Sequence, residues 1–242
     1  MFRETHARSV MKAISWRVMG TVATTVLVLI MTRRFSLALA VGGLEFISKI
    51  GIYWVHERVW DRLRFGKEEI RPVVVWFTGF SGSGKSTISG WVARELRRRG
   101  LRVEELDGDS IRHIFPNTGF TKADRDVHIR RVGYLASKLE QNGVFVVASF
   151  VSPYRESRDF VRSLCGSFVE VYVATPLEEC ERRDVKGLYA KARRGEIQNF
   201  TGINDPYEPP ITPEIVLDTS RISVEEAGGQ VLDMLRLRTS KV

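Results

Sequence analysis

Nine consecutive residues, Gly79–Thr87 (GFSGSGKST), carry the clearest chemistry in the chain. Gly79, Gly84, Lys85 and Ser86 fit the spacing G-x-x-x-x-G-K-[ST]. Glycines there let backbone N–H groups wrap a β-phosphate, Lys85 reaches the β- and γ-phosphate oxygens, and the Ser86 hydroxyl can ligate Mg²⁺. A helix beginning at this point adds the positive end of its dipole. Further on, Asp107-Gly108-Asp109 supplies two carboxylates. At the same sheet edge as the phosphate loop, one would hold Mg²⁺ through water and the other would accept the proton of an attacking hydroxyl. The alternative is an acidic turn, because Asp and Gly are common turn residues. The chain has no Asn/Thr-Lys-x-Asp guanine-reading segment, which points away from a switch GTPase.

These groups can act together only if the fold brings them to one edge. Val73–Thr78 (VVVWFT) is a continuous apolar, β-rich run, as expected of a buried parallel strand. A helical pattern through Ile88, Val92 and Leu96 follows the loop and ends at Gly100. Arg102–Leu106, Val144–Phe150, Phe168–Val173 and the weaker Ile215–Leu217 read as further strands. Lys122–Asn142, Arg155–Leu164, a segment starting at Leu177–Arg183 and Val224–Leu237 read as helices. Alternating strands and helices predict an α/β domain with helices on both faces of a parallel sheet. Strand C-termini in such a sheet gather at the ligand-binding edge. Residues 184–210 are rich in Lys, Arg, Gly and Pro, and only Leu188–Arg194 looks helical. A segment of that length reads as a lid, in which Arg182, Arg183, Lys186, Arg193 and Arg194 would stabilise a transferring phosphoryl group and screen it from water.

Composition bounds the rest. A chain of 242 residues makes one or two domains. Two cysteines, Cys165 and Cys180, cannot build a disulfide framework. Residues 1–67 hold 11 of the 37 Lys and Arg but four of the 29 Asp and Glu, so nearly all of the net charge of +8 lies there. A nucleic-acid-binding body would carry that excess itself, so no nucleic-acid partner is expected.

The basic excess flanks apolar sequence. Val18–Thr32 has no charge, Arg33-Arg34 interrupts, and Phe35–Val55 is apolar apart from Glu45 and Lys49. Both stretches approach the roughly 20 residues that a bilayer span needs. The expectation is a transmembrane helical hairpin over residues 13–55. The second apolar stretch and the lack of a small-residue cleavage site argue against a signal peptide. The other alternative is an amphipathic hairpin packed on the soluble domain. Glu45 and Lys49, four apart, would pair with each other or with the neighbouring helix. Arg3, Arg8, Lys12 and Arg17 before the hairpin, and Arg58, Arg62, Arg64 and Lys67 after it, outnumber Arg33 and Arg34 between. This places both termini, and a following soluble domain, in the cytoplasm at the cytoplasmic membrane. Gly42 and Gly43 would permit close helix contact, and with it a homodimer. The domains expected are 1–64 in the membrane, 65–71 as linker and 72–242 soluble. Ser9–Trp16 (SVMKAISW), Gly20-Thr21 and Val55–Trp60 (VHERVW) resemble a two-helix bacterial membrane domain that carries no known activity.

The soluble part resembles the adenylyl-sulfate (APS) kinase family over residues 70–220. The motifs run in order: GFSGSGKST, Leu106–Arg112 (LDGDSIR), Asp124-Arg125 with Ile129-Arg130-Arg131, and Ser149–Arg155 (SFVSPYR). Then come Thr175-Pro176-Leu177, Arg183–Tyr189 (RDVKGLY), Ala192–Ile197 (ARRGEI), Phe200–Ile203 (FTGI) and Pro206-Tyr207-Glu208. The resemblance implies a P-loop nucleoside-kinase-like, three-layer parallel sheet. It also implies transfer of phosphate from ATP, with Mg²⁺, to the 3′-hydroxyl of APS, giving 3′-phosphoadenylyl sulfate in sulfate assimilation. Gly79, Phe80, Ser81, Gly82, Ser83, Gly84, Lys85, Ser86 and Thr87 would hold the ATP phosphates, and Arg183 would lie near the ATP base. Asp109 would polarise the acceptor hydroxyl, with Asp107 and Ser86 at the metal. Arg112, Phe120, Arg125, His128, Val151, Ser152, Lys186, Asn199 and Phe200 align with APS-binding positions. Arginine forks suit phosphosulfate oxygens, and Phe120 and Phe200 could sandwich adenine.

Ser152 is often given as a phosphoserine intermediate in that family. With no evident base beside it, binding fits its chemistry better than covalent catalysis. His128 stands where the family usually has Asn, Gln198 replaces a frequent Lys, and the segment between Arg112 and Phe120 looks one residue short. His128 motivates an alternative reading, a kinase of the same family acting on another nucleotide acceptor such as a nucleotide phosphoramidate. A catalytically silent nucleotide-binding scaffold is the reading from a different class.

Overall fold

The computed structural model describes residues 2–4, 10–12, 14–16, 18–20, 23, 30, 38–63, 67–69, 71–115 and 118–238. Two compact units divide it: residues 1–70 with 239–242, and residues 71–238.

In the first unit, β1 (Phe2–Glu4) pairs antiparallel with β2 (Lys67–Glu69), with Arg3 opposite Glu68. Residues 10–12, 14–16 and 18–20 are helical, and α1 spans Ala38–Arg62. Contacts run antiparallel between the two helical segments. Lys12 meets Glu57 at 3.2 Å, Ser15 meets His56 at 2.7 Å, and Trp16 stands edge-on to Tyr53. Arg33, Arg34 and most of Val18–Thr32 lie outside the described residues, as does the side chain of Glu45. The hairpin of two spans is not met in what is described: among the described residues no helix is long and apolar enough to cross a membrane. The expected apolar stretch Phe35–Val55 runs on, within one helix, into His56, Glu57, Arg58, Asp61 and Arg62.

The second unit is a five-stranded parallel sheet in the order β4-β5-β3-β6-β7. Its strands are β3 (Val74–Thr78), β4 (Val103–Asp107), β5 (Phe145–Ser149), β6 (Phe168–Val173) and β7 (Ile215–Leu217). The central strand β3 lies beside β5 with Val74 opposite Val146, and beside β6 with Val74 opposite Phe168. Every residue of β3 and β5 is buried, as a strand covered on both faces requires. Val74, Trp76, Val146, Ala148 and Phe168 build one apolar layer with Ile129, Val132, Ala136 and Val161. These last four belong to α4 (Lys122–Gln141) and α5 (Arg155–Leu164). Gly133 lets those helices meet, since a Cβ there would stand 2.4 Å from Val161 Cγ2. Ile88, Val92, Ala93 and Leu96 of α2 (Lys85–Arg98) and Ala227, Val231, Leu232 and Leu235 of α8 (Val224–Arg238) are buried too. Removing one such aliphatic side chain from water contributes about 1.5–3 kcal/mol.

Three further helices complete the unit: α3 (Gly108–Ile114), α6 (Leu177–Arg183) and α7 (Leu188–Arg193). The Asp107-Gly108-Asp109 segment is therefore no open turn. Asp107 ends β4 and caps α3, its carboxylate accepting the Asp109 N–H at 3.0 Å. Thr121 and Asp124 form a reciprocal capping box at the start of α4.

Candidate active site

The C-terminal ends of β3, β4 and β5 converge, and Thr78, Asp107 and Ser149 come to one edge. The phosphate loop leaves β3 there and enters α2. Gly79 has φ +147, and a Cβ at this position would lie 2.5 Å from the carbonyl oxygen of Val173. Only glycine fits this close passage of loop against β6. Two threonines buttress the loop from beneath. Thr175 and Thr219 hydroxyls both donate to the Ser83 carbonyl, at 3.1 and 2.9 Å.

Lys85 is buried at the start of α2, and its Nζ donates to the Phe80 carbonyl at 2.6 Å. Burial lowers its pKa from 10.5 to about 8, against the pull of Asp107 and Asp109. The Ser86 hydroxyl donates to Asp107 Oδ2 at 3.1 Å and lies 3.3 Å from Ser149 Oγ. A hydroxyl beside a carboxylate is a hard-oxygen pair, suited to a Mg²⁺ that keeps waters and phosphate oxygens as its other ligands. Among the described residues no three His, Cys, Asp or Glu side chains group into a metal cage, and Mg²⁺ with a nucleotide needs none. Asp109 stands more exposed and meets the Lys186 ammonium from the lid.

One cavity of about 770 Å³ joins these groups. Its wall includes Lys85, Ser86, Asp107 and Asp109 from the phosphate side. Arg112, Phe120, Arg125, His128, Val151, Ser152, Lys186, Asn199 and Phe200 line it further along, with Arg183 and Tyr189. All the expected acceptor residues are thus gathered. Of the expected donor residues, Ser81, Gly82, Gly84, Lys85, Ser86 and Thr87 line the cavity, and Gly79, Phe80 and Ser83 do not. The Phe80 ring packs on Tyr207, with centroids 4.9 Å apart, and the Ser83 side chain is fully buried.

The geometry separates contact from support. The Arg112 guanidinium lies over the Phe120 ring, 4.3 Å from its centroid, and donates to the Thr118 and Gly119 carbonyls. Arg125 donates to the Phe120 carbonyl, the Thr201 hydroxyl and the Asn199 carbonyl. It stitches α4 to the lid with three of its five N–H groups. Ser152 is buried with φ +38, accepts from Trp76 Nε1 at 3.1 Å and donates to Thr78 Oγ1 at 3.0 Å. Its hydroxyl is engaged on both sides, and among the described residues no base touches it.

His128 is 2% exposed, stands between the Phe115 and Phe150 rings, and has no hydrogen-bond partner on either ring nitrogen. Burial, with Arg112 and Arg131 nearby, lowers its pKa from 6.5 to about 4, so the ring is neutral near pH 7.

The lid is less uniformly basic toward the site than its sequence suggests. Arg182, Arg193 and Arg194 do not line the cavity. They pair instead with Glu179, Glu181 and Glu196. Glu179 and Glu196 are close neighbours in sequence of Arg182 and Arg194, whereas Glu181 reaches Arg193 from α6. Only Arg183 and Lys186 of the five reach the wall, and Arg183 is itself held by Glu179 and Thr219. Thr175, Tyr189, Thr201 and Thr219 were not singled out for these roles from sequence. Tyr189 donates to the Ser81 carbonyl at 2.9 Å and ties α7 to the phosphate loop.

Residues 71–218 match the family described as Adenylylsulphate kinase, and residues 10–61 match the family described as Predicted membrane protein. The adenylyl-sulfate kinase of Halothermothrix orenii is 54% identical over 166 residues, covering 68% of this chain and 90% of the relative. That of Bacteroides thetaiotaomicron is 48% identical over 191 residues, covering 76% and 95%. The structure of the Mycobacterium tuberculosis APS kinase CysC in complex with AMPPNP and APS superposes with TM-score 0.66 at 43% identity, covering 69% of this chain and 98% of that one.

Proposed function

The chain belongs to the adenylylsulphate kinase family and is an adenylyl-sulfate kinase, and from that premise we propose how its own residues carry the transfer. The observation that carries the reading is the single cavity joining the phosphate loop, the two aspartates and the aromatic and arginine wall. ATP would enter with its phosphates on the Gly79–Thr87 backbone. The Lys85 ammonium, now on the Phe80 carbonyl, would turn to the β- and γ-phosphate oxygens. Ser86 and Asp107 would hold Mg²⁺, which neutralises phosphate charge. Phe120 and Phe200 would take the purine of the acceptor, and Arg112 and Lys186 its anionic groups. Asp109 would orient the 3′-hydroxyl and accept its proton as that oxygen bonds to the γ-phosphorus and the bond from the γ-phosphorus to its bridging oxygen breaks. Positioning and charge neutralisation supply most of the rate. Ser152 acts by shaping the wall, because its hydroxyl is already engaged by Trp76 and Thr78.

Coupled ADP release on the full chain with Mg-ATP tests this, with APS or a panel of other nucleotides, including a phosphoramidate, as acceptor. Saturable release with APS alone supports the assignment. Turnover of another acceptor with none of APS would overturn it.

The N-terminal unit would hold the kinase at the cytoplasmic membrane, with both termini on the cytoplasmic side. Three observations support this besides the family match. Polar Ser15 and His56 meet inside the helix pair while Val10, Ile14, Val18 and Val59 face outward, at least half exposed. Such an inverted pattern suits lipid rather than water. The β1–β2 ribbon brings the start of the chain to the segment that leads into the kinase. The flanking charge follows the cytoplasmic bias of Lys and Arg. A hexameric APS kinase from Thiobacillus denitrificans, 32% identical with TM-score 0.55, makes self-association a fitting expectation here.

A further inference from the structure

The two motifs of the N-terminal unit, which the kinase activity leaves unused, meet in one cluster. His56 is buried between the helical segments. Its Nε2 lies 2.7 Å from Ser15 Oγ and 3.0 Å from Trp60 Nε1, and Trp60 is buried beside it. An indole N–H only donates, and Trp60 Nε1 lies within reach of both His56 Nε2 and Ser15 Oγ, the latter at 3.2 Å. Lys12 closes the cluster on Glu57. With His56 and Trp60 fixed inward, one turn apart, the rotation of α1 about its axis is set.

That rotation decides what the opposite side presents. Trp54, Arg58 and Arg62 follow one another at four-residue steps, which places them on one helix face. All three are exposed, Trp54 by 61%. The Arg58 guanidinium lies over the Trp54 ring, 5.5 Å from its centroid. Among the described residues no carboxylate pairs with Arg58 or Arg62. Exposed Val55, Val59 and Leu63 flank the stripe. Over two turns an exposed indole gives way to two guanidiniums with aliphatic side chains alongside, a mixture that suits the boundary between acyl chains and phosphate in a bilayer interface.

We propose that the Trp54–Arg58–Arg62 face of α1 is a docking surface for anionic phospholipid headgroups. The inference rests on the membrane seating above and goes beyond it by naming the lipid chemistry. Arginine binds a phosphodiester through paired N–H groups, and the indole beneath Arg58 keeps its fork oriented. Each basic group near an anionic bilayer surface raises binding about five-fold. The attraction falls as salt screens it.

The test uses the full chain, synthesised cell-free in the presence of vesicles and recovered by flotation. One set of vesicles is phosphatidylcholine alone; the other adds phosphatidylglycerol. The wild type is expected to float with both and to favour the anionic set by about ten-fold or more at low salt. Arg58→Gln/Arg62→Gln should bring the two sets close to parity while still floating. The charge-matched control Arg97→Gln/Arg98→Gln, on exposed α2 residues outside the active site, should keep the preference. Equal flotation of the wild type with both sets overturns the headgroup proposal and leaves the membrane seating standing. A preference unchanged in the Arg58/Arg62 variant also overturns it. Failure to float with either set overturns both.

Discussion

Among the described residues the two units of this chain show opposite burial patterns. Residues 71–238 enclose Val74, Trp76, Phe77, Val146 and Val147 and push their charged chemistry to one edge of the sheet. The N-terminal unit encloses a serine, a histidine and an indole N–H, and turns valines, isoleucines and methionines outward. The difference teaches that burial follows the surrounding solvent rather than residue class. In water an apolar core stabilises the fold, and a few polar groups at its rim can be spent on function. Where the surroundings are themselves apolar, apolar contact discriminates little between partners, and hydrogen bonds between helices set their register. A chain that combines the two should respond to mutation in two separable ways.

Lys85→Ala should break the catalytic unit most completely. A drop in kcat of about a thousand-fold or more is expected, from loss of one preorganised cation at the transferring phosphate. The melting temperature should be preserved, since the ammonium is desolvated in the free enzyme. Normal ADP release by this variant would remove the phosphate loop from the mechanism. Asp109→Asn comes next, with kcat lowered by about a hundred-fold or more and KM for APS changed far less. An unchanged kcat would end its role as base.

A pH series gives a smaller, graded effect. ATP phosphates favour the charged Lys85, whose pKa in the free enzyme is about 8. Below that value the group is already protonated and affinity is flat. As pH rises past it, binding must take up a proton, and KM for ATP should climb by up to about ten-fold per pH unit. A flat profile to pH 9.5 would show that Lys85 is not the group that titrates. Ser152→Ala should change kcat by less than about five-fold. It should cost about 1–3 kcal/mol of stability through the abandoned Trp76 N–H, read by denaturant unfolding. Collapse of turnover in the folded variant would restore a covalent role. The smallest effect should come from a fragment beginning at Arg71, with kcat within about two-fold of the full chain, since the unit has its own core. Loss of activity with folding retained would join the two units in catalysis.

What the sequence made legible was local. The phosphate loop was visible because its chemistry depends on glycine spacing over nine adjacent residues, and β3 was visible as an unbroken apolar run. Asp107 and Asp109 were found, but the helix that separates their roles was not, because Gly108–Ile114 is short and opens with a glycine. The buttress from Thr175 and Thr219 was invisible because it joins residues far apart in sequence through hydroxyls with no periodic signature. Arg125 was picked out as a contact, yet three of its five N–H donors go to the lid and its neighbouring loop. Residue type marked the arginine and only the fold could say what it holds. The lid arginines misled for a related reason. A basic count does not reveal that Glu179, Glu181 and Glu196 neutralise three of them. The cluster of Ser15, His56 and Trp60 lay in motifs that sequence singled out without a purpose, because its logic is a contact between two helices.

The ribbon that pairs Phe2–Glu4 with Lys67–Glu69 fixes an order of events during synthesis. Its first strand has no partner until Lys67–Glu69 has been made. It closes a loop around both helical segments, and that closure carries an entropy cost of its own. A bulky fusion ahead of Phe2 would load that waiting strand, whereas a fusion after the kinase would not. The choice of which end to tag decides whether the N-terminal unit forms around an intact ribbon.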